Sequence, residues 1–125
     1  MFRKEMEFER AFMHRGGLLL AGSDGVLSGV IAGFGDHREL ELLVEAGFTP
    51  EETIQIYTLN GARFLKQYNR IGSLEAGKQA DIAIVKGDLA ADIKNIENIE
   101  IVFKDGVGYD SKRLIESVKG RVGLR

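Results

Sequence analysis

The sequence predicts a mixed α/β chain that changes character toward its C-terminal end. Three observations carry that reading. Apolar residues recur four apart near the start, Phe2 with Met6 and Phe8 with Phe12, which is the spacing of a helix face. Leu18-Leu19-Leu20-Ala21 is a short unbroken apolar run, as in a strand buried on both faces of a parallel sheet. From Ala80 onward the pattern switches to the alternation of strands, closed by an Asp105-Gly106 hairpin signal.

The first helix is expected over residues 2–14 and is stopped by Gly16-Gly17, glycine being the usual residue past a helix C-terminus. The apolar run then ends at Gly22-Ser23-Asp24-Gly25. Residues 25–35 hold Gly25, Gly29, Gly33 and Gly35 and read as a long loop. A second helix is expected from Asp36, with Asp36 as cap and Glu39 three residues on. Leu40, Leu43 and Val44 form its apolar face, and Gly47 stops it. Thr49-Pro50-Glu51-Glu52 opens a third helix: Thr49 caps, Pro50 suits the first position and Glu52 completes the box. Ile54, Tyr57, Thr58, Gly61, Ala62 and Leu65 are expected to face inward. Strands are expected over 80–85 and 99–104, with a return over 107–109. A short amphipathic helix over 111–118 should turn Leu114, Ile115 and Val118 inward, before a frayed tail from Lys119.

Composition excludes several function classes. A net charge of −2 argues against a general nucleic-acid binder, which shows a strongly basic face. Without cysteine there is neither a disulfide nor a thiolate metal site. No apolar run nears the ~20 residues that span a bilayer. Met1-Phe2-Arg3-Lys4-Glu5 lacks the apolar core of a signal peptide. A cytoplasmic chain without a membrane partner is expected.

The candidate chemistry lies at the end of the apolar run. In parallel α/β architectures, function concentrates at the C-terminal ends of strands. Asp24 stands there between glycines that let the backbone turn sharply. Taken alone, Asp24 reads first as a residue that merely caps a turn, Asp and Gly being the commonest turn residues. His37, at the end of the glycine-rich loop, reads either as a contact in the same mouth or as an exposed first-turn residue. His14 reads as a solvated helical histidine, and Glu39, Glu41, Glu45, Glu51 and Glu52 as solvated faces and caps. One Asp and one His cannot complete a metal site, and no H-x-H pair occurs. Gly33-Phe34-Gly35 is followed by Arg38 at the third glycine position, so the dinucleotide fingerprint fails.

Taken in order, these segments resemble the amidohydrolase superfamily, in the branch of imidazolonepropionases and Xaa-Pro dipeptidase-like enzymes. LLLAGSDG at 18–25 resembles the last barrel strand with its G-[ST]-D pattern. HRELELLVEAG at 37–47 and TPEETIQIYTLNGARFL at 49–65 resemble the two helices that follow. RIGSLEAGKQADIAIV at 70–85 resembles the return to a small β domain, with its G-x-[LI]-x-x-G-K-x-A-D signature. NIEIVFKDGVGYD at 98–110 resembles the closing hairpin.

The resemblance implies the C-terminal part of a (β/α)8 barrel over residues 1–66, part of a small β-sandwich over 67–110, and a C-terminal helix and tail over 111–125. A whole barrel takes ~250 residues. It further implies a divalent metal, commonly zinc, and hydrolysis of a C–N bond in a small amide, cyclic amide or dipeptide-like substrate. Asp24 matches the carboxylate that binds or neighbours the metal and shuttles the proton from water to the leaving nitrogen. His37 is left as a possible substrate contact. The other ligands of relatives have no counterpart here, so the 125 residues alone are expected to be inactive. Gly25 and the loop from Val26 to Gly35 depart from the family's usual residues.

Two rival readings stand beside this one. Met1 could be a true start, giving a stand-alone non-enzymatic module or a subunit that complements a separately encoded N-terminal half. A binding protein on a degenerate barrel scaffold is the third, and the retained Asp24 weighs against it. The DNA upstream separates truncation from a module. Lacking flanking strands, the 18–21 run should also drive self-association.

Overall fold

The computed structural model describes residues 2–24, 30–31 and 33–121. Most of the glycine-rich loop (25–29 and 32) and the last four residues of the expected tail lie outside the described residues. The element order is α1 (Phe2–His14), α2 (Phe34–Glu45), α3 (Pro50–Gln55), a π turn (Ile56–Asn60), α4 (Gly61–Phe64), β1 (Ile82–Val85), a 3-10 turn (Ile93–Glu97), β2 (Ile99–Lys104), β3 (Val107–Asp110) and α5 (Ser111–Ser117).

The helix boundaries follow local chemistry. α1 ends where the N–H of Gly17 donates to the Phe12 carbonyl at 2.9 Å and Gly16 takes φ 88°. α3 begins at a reciprocal capping box: Glu52 N–H donates to Thr49 Oγ1 at 3.2 Å, and Thr49 N–H to Glu52 Oε2 at 2.9 Å. α2 starts two residues earlier than the sequence predicts. Its N-cap is Gly33, which has no side chain, so Asp36 sits inside the first turn and accepts the Gly33 N–H at 3.2 Å.

The π turn was not expected, and it changes which residues are buried. Thr53, Ile56, Asn60 and Ala62 point inward, while Thr58 and Leu65 are exposed and Ile54 and Tyr57 are half-buried. An i→i+5 turn carries more residues than an α turn. Thr53, Ile56 and Asn60 keep helical spacing, and the buried stripe slips only between Asn60 and Ala62. The expected face over Ile54, Tyr57 and Gly61 is one residue off, and inward Thr58 and Leu65 are corrected to exposed.

The core is small. Leu43, Phe48 and Ile56 form its centre, with Met13, Leu19, Ala21, Ala46 and Tyr57 packed around them. Full burial of each such apolar side chain contributes about 1.5–3 kcal/mol. Residues 17–24 run extended without strand partners among the described residues. The expected burial of Leu18–Ala21 on both faces is thus corrected: Leu18 is 41% and Leu20 38% exposed, because only one side of the segment meets helices.

The C-terminal region is one antiparallel sheet in the order β1-β2-β3. Ile82 pairs with Phe103 and Ala83 with Val102, and a register shift follows between Ile84 and Val85. Val102 pairs with Tyr109 across the hairpin. Asp105 (φ 52°) and Gly106 (φ 80°) are both left-handed, as a type I′ turn requires. Asp81 braces that turn, accepting the Asp105 N–H at 2.7 Å and the Lys104 ammonium at 2.6 Å. Lys104 beside it, and then that N–H, hold its carboxyl below the ordinary value.

The 3-10 turn buries Ile93 and packs against α2, joining sheet region to helices. Leu114, Ile115 and Val118 of the α5 region are exposed, against expectation. That helix touches only β2 and β3 closely, and the sheet does not cover its apolar side. Among the described residues no helix is long and apolar enough to cross a membrane.

Candidate functional site

The extended segment 17–24 alternates strictly. Gly17, Leu19, Ala21 and Ser23 are half-buried, while Leu18, Leu20, Gly22 and Asp24 are exposed. This is the two-residue period of an extended chain with one covered face. Leu19 and Ala21 pack on the core centred on Leu43 and Ile56. Asp24 falls on the opposite, open face, in line with Leu18 and Leu20.

Two long-range hydrogen bonds fasten this segment to the helices. The buried Asn60 donates from Nδ2 to the Leu19 carbonyl at 2.9 Å. Asp36 accepts the Ser23 backbone N–H at 3.3 Å. The Asp36 carboxyl is held below its ordinary value, first by the Ser23 side chain and, against some burial, by the N–H groups of Ser23 and Gly33 and the Tyr57 hydroxyl. Tyr57 lies 2.5 Å from Glu39 Oε2 and 3.3 Å from Asp36 Oδ1. A phenol has one hydrogen to donate. The shorter contact takes it, leaving Asp36 as the alternative acceptor. Burial, and then the Glu39 carboxylate, push the Tyr57 phenol well above its ordinary value.

The sequence-predicted site residues occupy related places. Asp24 and His37 are the chain neighbours of Ser23 and Asp36, the two residues joined by that hydrogen bond. His37 is half-buried in the first turn of α2, its ring edge-on to Phe34 with centroids 6.4 Å apart. His14 is elsewhere, on α1 and exposed as expected, with Nε2 2.9 Å from Glu52 Oε1 at the α3 cap. Glu39 and Glu41 are not solvated faces. Glu39 receives the Tyr57 hydroxyl, and the largely buried Glu41 receives the Arg38 guanidinium at 2.5 Å.

Asp36, Glu39, Tyr57 and Asn60 are thus the residues that sequence reasoning missed. Asp36 was legible only as a local cap, and nothing in the spacing of Tyr57 or Asn60 points to residues so distant in sequence.

A divalent metal needs several converging ligands. Among the described residues no three of His, Asp and Glu converge. These residues therefore do not fit a complete metal site, and Asp24 offers a single open carboxylate. A cavity of about 200 Å³ lies at the other end of the segment, between α1 and α2, lined by Met6, Leu19, Leu20, Leu42 and Leu43 among others. It contains neither Asp24 nor His37, but Glu39, the acceptor of the Tyr57 hydroxyl, also lines it.

Comparison with known proteins shows what the chain is similar to. A family model described as "Amidohydrolase family" matches residues 3–108. Imidazolonepropionase of Bacteroides thetaiotaomicron is 55% identical over 38 residues, 30% of this chain and 9% of that protein. S-triazine hydrolase of Gordonia rubripertincta is 46% identical over 46 residues, 37% of this chain and 9% of that protein. A solved Xaa-Pro dipeptidase with methionine bound in its active site superposes with a TM-score of 0.73 at 32% identity, covering 85% of this chain and 25% of that one. The matches thus span 9% of each of these two curated relatives and a quarter of that solved structure.

Proposed function

The chain belongs to the amidohydrolase family, and from that premise we propose that it supplies the Asp24 carboxylate to an enzyme that hydrolyses C–N bonds. The observation that carries this reading is the placement of Asp24: the end of a segment pinned at Leu19 and Ser23, with its side chain on the open face. On this reading 1–66 is the last strand and helices of a (β/α)8 barrel, 67–110 belongs to a small β-sandwich, and 111–125 is a terminal helix and tail.

The remaining metal ligands come from outside these residues. A divalent metal, zinc by the family resemblance, would be held by Asp24 only together with ligands outside these residues, and would supply Lewis-acid chemistry at the scissile carbonyl. Asp24 takes a proton from water and delivers it to the leaving nitrogen. A carboxylate suits this, because one oxygen can accept a proton from water and later give it up to the leaving nitrogen. His37 is a substrate contact. The substrates are small amides, cyclic amides or dipeptide-like molecules, in keeping with relatives named for imidazolonepropionase, s-triazine hydrolase and Xaa-Pro dipeptidase activity. The partner is an N-terminal half carrying the other ligands, whether on the same polypeptide or a separate one.

The test has two arms. Calorimetry on the 125-residue chain should show no stoichiometric zinc, and the chain alone should not turn over amides. Mixed with the N-terminal portion of a relative that carries an H-x-H pair, it should restore hydrolysis. Asp24→Asn in that mixture should lower kcat by about 10²–10⁴, the range for loss of a general acid–base. Turnover by the isolated chain, or a mixture carrying Asp24→Asn that runs at full rate, sinks the reading.

A further inference from the structure

We propose that Asp36 is the positioning residue for Asp24: by holding Ser23 against the helices it turns the next side chain to the open face. The inference rests on the functional reading above for its purpose, but on geometry alone for its content. Successive side chains of an extended chain point to opposite sides. Fixing Ser23 inward therefore fixes Asp24 outward, and no contact to Asp24 itself is needed.

Three features fix Ser23. Its backbone N–H donates to Asp36 Oδ1 at 3.3 Å. The other Asp36 oxygen accepts the Gly33 N–H at 3.2 Å, so the carboxylate is tied to the start of α2 and cannot swing freely. Gly35 completes the seat. A Cβ there would stand 3.1 Å from the Ser23 Cβ, a tight contact that would push Ser23 outward by a few tenths of an ångström, and would clash with Val30 Cγ1 at 2.4 Å. The Tyr57 hydroxyl, whose hydrogen goes to Glu39, is only an alternative donor to Asp36 and is not needed for this role. One acidic side chain thus links the helix start and the segment.

The whole 125-residue chain, labelled for NMR, tests this without any reliance on activity. In the wild type the Ser23 amide should exchange with solvent at least tenfold more slowly than an unbonded amide. In Asp36→Ala that protection should vanish, and the Asp24 amide and carboxyl-carbon resonances should move, while Leu40, Leu43 and Ile56 keep their shifts. Asp36→Asn retains an acceptor oxygen, so it should fold even where Ala does not, and it should give an intermediate result. In the hydrolysing mixture, Asp36→Asn should lower kcat by about tenfold to a hundredfold with KM unchanged, the pattern of a displaced reacting group. A Ser23 amide that exchanges at the free rate in the wild type overturns the proposal. So do Asp24 resonances that stay put in both variants. A mixture that never hydrolyses, beside the expected NMR result, overturns the functional reading and leaves the positioning role standing.

Discussion

The Asn60 side chain donates to the carbonyl of Leu19, 41 residues earlier in the sequence, at 2.9 Å. Asn60 is 2% exposed, and its Oδ1 also accepts from Gln55 Nε2 at 3.4 Å. One buried amide thereby supplies a lateral hydrogen bond to a segment that has no strand neighbour among the described residues.

Removing it should be costly. Asn60→Ala leaves the Leu19 carbonyl without this donor and should destabilise the chain by about 1–3 kcal/mol. Asn60→Asp places an acceptor against an acceptor and should cost at least as much. Urea unfolding measures both, and an Ala variant within about 0.5 kcal/mol of wild type, on the order of experimental error, would contradict the assignment.

Two glycines should respond to alanine with opposite signs. Gly72 has φ 91°, and an added Cβ would stand 2.5 Å from the Ala62 Cβ and 3.2 Å from the Leu59 Cα. Left-handed strain and overpacking together should cost Gly72→Ala about 2 kcal/mol or more. Gly61 is helical, at φ −59°, with nothing near the Cβ position. Gly61→Ala should instead stabilise by about 0.5–1 kcal/mol. Thermal midpoints shifting in the same direction would refute this account of the junction between α4 and the sheet region.

Stability should fall in acid. Asp36 and Glu52 both sit below their ordinary values of 3.8 and 4.5. The Ser23 side chain is the largest cause for Asp36; for Glu52 it is the Thr49 N–H, with His14 a lesser one. A carboxyl with a lowered folded-state pKa stabilises fully above the ordinary value. That contribution is lost as pH falls through the lowered one, because the unfolded chain then binds more protons. Urea midpoints should be level down to about pH 5 and decline below it. Glu52→Gln should make the decline shallower; an unchanged acid slope in that variant would remove Glu52 from the explanation.

The open face of the segment should drive association. Leu18 and Leu20 are exposed beside Asp24, and Phe2 and Phe8 are exposed on α1 at 63% and 70%. An uncovered extended segment with apolar side chains is a pairing surface. The chain alone should self-associate with concentration in light scattering. Leu18→Lys with Leu20→Thr should reduce that association without lowering the unfolding midpoint, since neither residue is in the core. A monodisperse wild-type monomer would count against this.

Legibility in the sequence tracked how local each determinant is. The Thr49–Glu52 box, the Gly16 stop and the Asp105-Gly106 turn each depend on residues within four positions, and each appears where the sequence placed it. Leu18–Ala21 was read as doubly buried because apolar composition does not say how many neighbours a strand has. Thr58 and Leu65 read as inward when the apolar face is drawn from Ile54, whereas the buried stripe starts one residue earlier, at the polar Thr53, and includes the polar Asn60. Asp36 looked like a cap because its local neighbours suit one; its contact with Ser23 depends on a loop closing, which no short window contains. Asp24 was legible as a position, through the glycines around it and the family resemblance. What orients it was not.

The π turn at Ile56–Asn60 has one more consequence. Such a turn is the shape a helix takes when it absorbs a surplus residue. It marks a place where chain length can differ by one while both flanking helical pieces survive. Deleting the exposed Thr58 would restore uninterrupted α geometry and rotate everything downstream by roughly 100°, one residue's worth of helix. Asn60 and Ala62 both lie downstream, so with Thr53 and Ile56 kept on the core both would turn away together, the first from Leu19 and the second from Gly72. The single extra residue is a phase adjuster, bringing the segment-binding amide and the sheet-bearing end of the chain into register with the same core.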